Sequence, residues 1–115
     1  MKTYVAERTA HGNVVNVDGL PLPPCAEHSG AVVKLFDWGN AGQGARYMTE
    51  ALLEDALESN HLSQELWNEY LLAVVANLPN SGWTLTQGDV WAWALSHLLS
   101  RFSKLVSRGP SCIVV

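Results

Sequence analysis

Residues 31–58 read AVVKLFDWGNAGQGARYMTEALLEDALE, and the handover inside this stretch decides the fold. Ala31 to Phe36 is apolar and β-branched, which suits a strand on a half-buried surface. Asp37 to Gly44 then places three glycines within residues 39–44, lowering the cost of positive φ and of close backbone approach. From Ala45 to Glu58 the spacing turns helical, with Met48, Leu52 and Ala56 on one stripe and Ala45 and Leu53 beside it.

Upstream of this handover the chain is β-rich. Residues 3–7 and 13–17 are short runs of strand-forming residues, and His11-Gly12-Asn13 between them carries turn chemistry, so a β-hairpin is expected. Asp18-Gly19 marks a second turn, and Pro21, Pro23 and Pro24 keep residues 20–30 extended and irregular.

Downstream the chain is helical. After an interruption at Ser59-Asn60-His61, a second helix is expected with Ser63 as its N-cap and Leu62 stapled onto Trp67. Its buried stripe reads Trp67, Leu71, Val74 and Leu78, and Pro79 ends it. Thr86 and Asp89 form the capping box of a third helix, with Leu85 stapled onto Val90. Trp91, Ala94/Leu95, Leu98, Phe102 and Leu105 run down one face of it, and Gly109-Pro110 stops it. Strands first and helices after predict an α+β fold: a small antiparallel sheet of about three strands with about three helices packed on one face. The 115 residues fit one domain, β-rich over 1–36 and helical over 45–108.

Composition narrows function. With 7 basic and 11 acidic side chains the net charge is −4, and no basic stripe appears, so direct nucleic-acid binding is disfavoured. The two cysteines make no disulfide framework, the N-terminus lacks the apolar core of a signal peptide, and no run approaches a bilayer span. A cytoplasmic setting without membrane contact is expected.

Each chemical motif has a plainer explanation. The glycine loop 39–44 before a helix could hold an anion, but it lacks the Lys-Ser/Thr of a P-loop and the glycine order of a dinucleotide fingerprint. A tight turn that lets Trp38 pack under the first helix explains it as well. Cys25-x-x-His28 is half of a metal site with no second pair, and no orienting residue beside it marks a nucleophile. Cys112-Ile113-Val114-Val115 only superficially matches a prenylation box, and a packed apolar tail accounts for it. The expectation is therefore no catalytic residue, no cofactor and no metal. Trp38 and Trp83 each adjoin a turn feeding a helix and are expected as buried anchors. Glu50, Glu54 and Glu58 line one face of the first helix at i, i+4, i+8, a candidate contact surface for a basic partner. Trp91 and Trp93 offer a second one.

Phe36-Asp37-Trp38-Gly39-Asn40-Ala41-Gly42-Gln43-Gly44-Ala45 and Leu78-Pro79-Asn80-Ser81-Gly82-Trp83-Thr84-Leu85 together resemble a family of small uncharacterised proteins of bacteria, phages and mobile elements. In that family a Phe-x-Trp-Gly-Tyr-x-Gly-Ser-Gly-Pro stretch precedes one helix and a Leu-Pro-x-x-x-Trp-x-Leu element precedes another. The resemblance covers roughly residues 3–95, with departures at Asn40, Gln43 and Ala45. It carries no activity and no catalytic residue across. It implies a mobile-element setting, in which small proteins such as anti-CRISPR proteins block larger host complexes. The leading expectation is a non-catalytic module that binds another protein. The alternatives are a small enzyme or phosphate-binding domain using the glycine loop, and a structural subunit that oligomerises through the third helix or the tail.

Overall fold

The computed structural model describes the backbone of residues 1–108 and the side chains of residues 1–103. It has the expected α+β architecture. β1 (Thr3–Thr9) and β2 (Gly12–Val17) form the hairpin across a two-residue loop, pairing Tyr4 with Val17 and Thr9 with Gly12. β3 (Leu20–Pro21) is a two-residue strand on the outer edge of β2. β4 (Gly82–Thr86) lies antiparallel on the other side of β1, so the order is β3-β2-β1-β4.

Three strand assignments differ from expectation, the first being β3 itself, which lies in the segment expected to be irregular. Residues 31–36 do not join the sheet; Gly30–Leu35 winds into a 3-10 helix. β-propensity is a preference for a pleated, half-buried surface; here Gly82–Thr86 takes the outer edge of β1, and Leu20–Pro21 pairs with Asn16 and Val17 of β2. The missing strand is instead Gly82–Thr86, which alternates inward Trp83 with exposed Thr84.

Register places Tyr4 and Ala6 of β1, Val15 and Val17 of β2, and Trp83 and Leu85 of β4 on one face. The helices α1 (Gln43–Leu57), α2 (Asn60–Ala73) and α3 (Gln87–Arg108) follow. Tyr4 ties the inner sheet face to α1 through a hydrogen bond from its hydroxyl to Asp55 Oδ2 at 2.7 Å. Burial raises that phenol's pKa, and the Asp55 carboxylate raises it further.

α1 and α2 form a tight antiparallel hairpin. Two residues join them: Glu58, in a left-handed conformation (φ 53°), and Ser59. The cap of α2 is Ser59 rather than Ser63: Ser59 Oγ accepts from the Leu62 amide at 3.0 Å. Ser63 is buried and donates to the Glu50 carbonyl at 2.8 Å, locking the two helices. The capping box of α3 forms as expected, with the Asp89 amide donating to Thr86 Oγ1 at 3.1 Å and the Thr86 amide donating to Asp89 Oδ2 at 2.9 Å.

Trp38 and Trp83 are both buried and meet edge to face at 6.0 Å and 87°. Trp38 Nε1 donates to the Asn80 carbonyl at 3.2 Å, whereas buried Trp83 Nε1 has no partner among the described residues. A buried donor without an acceptor carries its desolvation penalty uncompensated. Trp83→Phe removes that donor along with some volume, so the two effects oppose. The expected change in unfolding free energy is within about 1 kcal/mol, measured by urea denaturation; a loss comparable to that of an alanine variant would show that the indole N–H is satisfied in solution.

Candidate functional site

The two segments that carry the family resemblance are brought together by Arg8. Its guanidinium lies over the Trp38 ring at 4.4 Å and donates to Asn13 Oδ1 at 2.9 Å, Asp37 Oδ1 at 3.1 Å and Asn80 Oδ1 at 2.7 Å, with a further bond to the Asn80 carbonyl. Asp37 also accepts from the Trp38 amide at 2.8 Å and from Asn40 Nδ2 at 2.9 Å. Burial alone would push its carboxyl up, but these bonds and Arg8 outweigh it and hold it below its ordinary value.

Packing explains the loop glycines. Gly39 has φ 78° and donates its amide to the Val75 carbonyl at 2.9 Å. A Cβ on Gly44 would drive into the Leu35 carbonyl oxygen. The motif residues thus clamp the sheet, the 3-10 helix and the turn before β4. Beside the loop, Ala41, Gly42, Gln43, Arg46, Trp67 and Asn68 line part of an open cleft of about 270 Å³. Arg46 stacks over Trp67 at 4.1 Å there.

The acidic row of the first helix is not an exposed line. Glu50 is only 1% exposed. Its Oε1 accepts from Arg46 Nε at 2.7 Å and its Oε2 lies 2.6 Å from His28 Nε2. Burial raises its pKa, but Arg46, His28 and Gln64 together turn the net shift downward. With a carboxylate opposite, His28 Nε2 carries the proton. Glu54 accepts from the Ala26 amide at 2.9 Å and from Asn60 Nδ2 at 2.7 Å. Only Glu58 of the three stays exposed, at the helix joint. The physical reason is the α1–α2 hairpin: it turns the 50/54 face toward α2 and the Cys25–His28 turn. The pairs Glu54–Asn60, Glu50–Gln64 and Arg46–Trp67 step away from the joint in antiparallel order.

Cys25 and His28 therefore have separate partners, side-chain amides for the thiol and the Glu50 carboxylate for the imidazole, and form no reactive pair. Cys25 is fully buried and accepts from Asn60 Nδ2 at 3.3 Å. Burial raises its thiol pKa, which disfavours the thiolate a nucleophile needs. Among the described residues no group of three or more His, Cys, Asp or Glu could hold a metal ion. The tail motif Cys112 to Val115 lies outside the described residues.

α3 is amphipathic in two directions. Val90 and Ala94 are buried, and Trp93 turns inward, edge-on to Tyr70 at 4.9 Å and stacked on His97 at 4.9 Å. Trp91 is half-buried. The opposite face shows Leu95, Leu99 and Phe102 at 51%, 67% and 64% exposure. Leu95 and Phe102, expected in the buried stripe, lie outside it because apolar residues surround this helix and only one side meets the core. Isolated exposed apolar residues are ordinary; here three lie in one row on the same side of the helix. The exposed residues from Ala92 to Ser103 are Ala92, Leu95, Ser96, Leu99, Ser100, Phe102 and Ser103, with no charge among them. Arg101, between them in sequence, is drawn sideways to Glu69 at 2.7 Å. Among the described residues no helix is long and apolar enough to cross a membrane.

No curated protein and no solved structure matches the chain. Residues 4–96 match a family of unknown function, DUF6166. The match takes in the hairpin, the Arg8 clamp with both of its motif segments, the α1–α2 hairpin, β4 and the first turns of α3. The chain belongs to that family.

Proposed function

We propose that the protein is a non-catalytic protein-binding module whose contact surface is the outer face of α3. The observation that carries this reading is the uncharged row of Leu95, Leu99 and Phe102, all more than half exposed on one side of a helix whose other side is in the core. Leucine and phenylalanine left in water forgo roughly 1.5–3 kcal/mol each relative to burial, so a partner that covers the row recovers that free energy. Of the residues expected to make contact, Trp91 borders this face, while Trp93, Glu50 and Glu54 serve the fold. The motif resemblance supports a phage or mobile-element setting, with inhibition of a host defence complex as the biological reading and the cytoplasm as its place.

Changing Leu95, Leu99 and Phe102 together to Gln keeps helix propensity close to that of Leu and should leave stability within about 1 kcal/mol. Affinity capture from the native host, with a second copy in a different tag included, should lose its enriched proteins with this variant. Identical capture by variant and wild type would overturn the reading. A second reading, ligand binding beside the glycine loop, is favoured by the cleft with Arg46 over Trp67. Amide shifts of Gln43 and Arg46 on titration with inorganic phosphate would support it.

A further inference from the structure

The outer row of α3 has an order as well as an exposure. Ala92, Leu95, Leu99 and Phe102 succeed one another at steps of 3, 4 and 3. That is the a/d spacing of a coiled-coil seam, and a seam of this period is complementary to another helix. The inner stripe of Val90 and Ala94 already holds α3 to the body of the protein, so the seam is additional to what the fold requires.

We propose that the seam is occupied by the same seam of a second copy of this chain, packed antiparallel about a two-fold axis. The proposal rests on the reading of the α3 face as a protein-binding surface and names its partner. Side-chain size supports self-pairing. In an antiparallel pair each a position faces a d position, so Ala92 lies opposite Phe102 of the other copy and Leu95 opposite its Leu99. The smallest residue of the seam meets the largest, and two leucine layers fill the middle. A parallel pair would set Ala92 on Ala92 and Phe102 on Phe102, leaving a gap at one end and a clash at the other.

Charge points the same way. Ser96 and Ser103 flank the seam on one side, Trp91 and Leu98 on the other. Among the described side chains from Ala92 to Ser103 no exposed like charges are brought together when the face meets itself, although the chain as a whole carries −4. A strongly charged partner would find no counter-charge here. Antiparallel helices also set their macrodipoles favourably.

The seam from Ala92 to Phe102 is roughly 15 Å long, short of what a standard interface of about 1,600 Å² needs. The dimer is therefore expected to dissociate in the micromolar range. Sedimentation equilibrium of the full chain across that range should show masses rising from the 12.6 kDa of the monomer towards twice that value. Leu99→Glu places an unpaired charge in the seam and should weaken the dimer by more than roughly 100-fold, with an unchanged circular dichroism spectrum. Ala92→Phe alone should also weaken it, because Phe would then oppose Phe. Adding Phe102→Ala to Ala92→Phe restores the small-on-large layers and should restore the dimer.

A full chain that stays monomeric at several hundred micromolar overturns the proposal. If capture of other proteins still depends on Leu95, Leu99 and Phe102 in that case, the binding-surface reading survives and only the identity of the partner falls. A dimer indifferent to Leu99→Glu overturns the seam, and a swap variant as weak as Ala92→Phe alone overturns the antiparallel register. A monomeric wild type that dimerises once Ile113 and Val114 are changed to Glu would assign the seam to the chain's own last residues, and that too overturns pairing between copies.

Discussion

Alanine at position 38 is expected to lower the unfolding free energy by about 3–5 kcal/mol. Trp38 is fully buried, and three contacts end on its ring: the edge of Trp83, the Arg8 guanidinium and the Asn80 carbonyl that accepts from Nε1. Truncation leaves a cavity beside Trp83 of β4, Arg8 of β1 and Asn80 that these neighbours cannot close, because Arg8 and Asn80 are themselves pinned by other bonds. For a domain of this size the melting temperature should fall by roughly 10 °C or more. Phenylalanine at the same position keeps an aromatic face for Arg8 and should recover part of the loss. Thermal melts followed by far-ultraviolet circular dichroism decide the matter: an Ala variant melting with the wild type would mean that the ring contributes nothing to the core.

Glu50→Gln is the second large effect. The substitution keeps the shape of the side chain and removes the charge that Arg46 and His28 both address. Hydrogen bonds to charged groups contribute about 1.5–3 kcal/mol each. Arg46 is about two-fifths exposed and can turn to solvent, so the net loss at neutral pH should be about 2–3 kcal/mol. The effect has a signed pH dependence. The folded carboxyl titrates below its ordinary value of 4.5, so its contribution is full above that value and lost as pH falls through the lower, folded pKa. The melting temperatures of the wild type and of the Glu50→Gln variant should therefore differ most near neutrality and converge in acid. A constant difference between neutral pH and strong acid would show that Glu50 stabilises by packing alone.

Much of the architecture was legible because local chemistry and tertiary need agreed. The hairpin, the Thr86–Asp89 capping box and the inward Trp38 and Trp83 each depend on residues close in sequence. The errors came where the environment decides. Ala31 to Phe36 has strand composition, but composition does not choose which segment pairs with β1, and that place goes to Gly82–Thr86. Trp83-Thr84-Leu85-Thr86 alternates as a strand should, and its signal was masked by the cap that follows directly. Ser59 and Ser63 are both good caps, one turn apart; only the immediate turn at Glu58 selects the first. Glu50, Glu54 and Glu58 have the spacing of a solvated row, and Arg46 four residues before Glu50 was the one local sign of a pair. Its other partner, His28, comes from a turn that no periodicity reports. On α3 the difficulty was abundance: apolar residues fit two stripes, and only the position of α1 and β4 tells which is inside.

The placement of β4 beside β1 has a consequence for a chain made from its N-terminus. The β1–β2 hairpin and the α1–α2 hairpin close over short separations, but Arg8 and Trp38 await Asn80 and Trp83, which leave the ribosome more than seventy residues after Arg8. At about 5–20 residues per second, Trp38 spends several seconds without its lid. The nascent chain thus carries an uncovered indole and an open sheet edge for that interval, when contact with a holding chaperone is most useful. Completion of the sheet is a late event that coincides with the emergence of α3. Thr86 is both the last residue of β4 and the cap of α3, so the strand that closes the sheet and the helix that follows it share one residue.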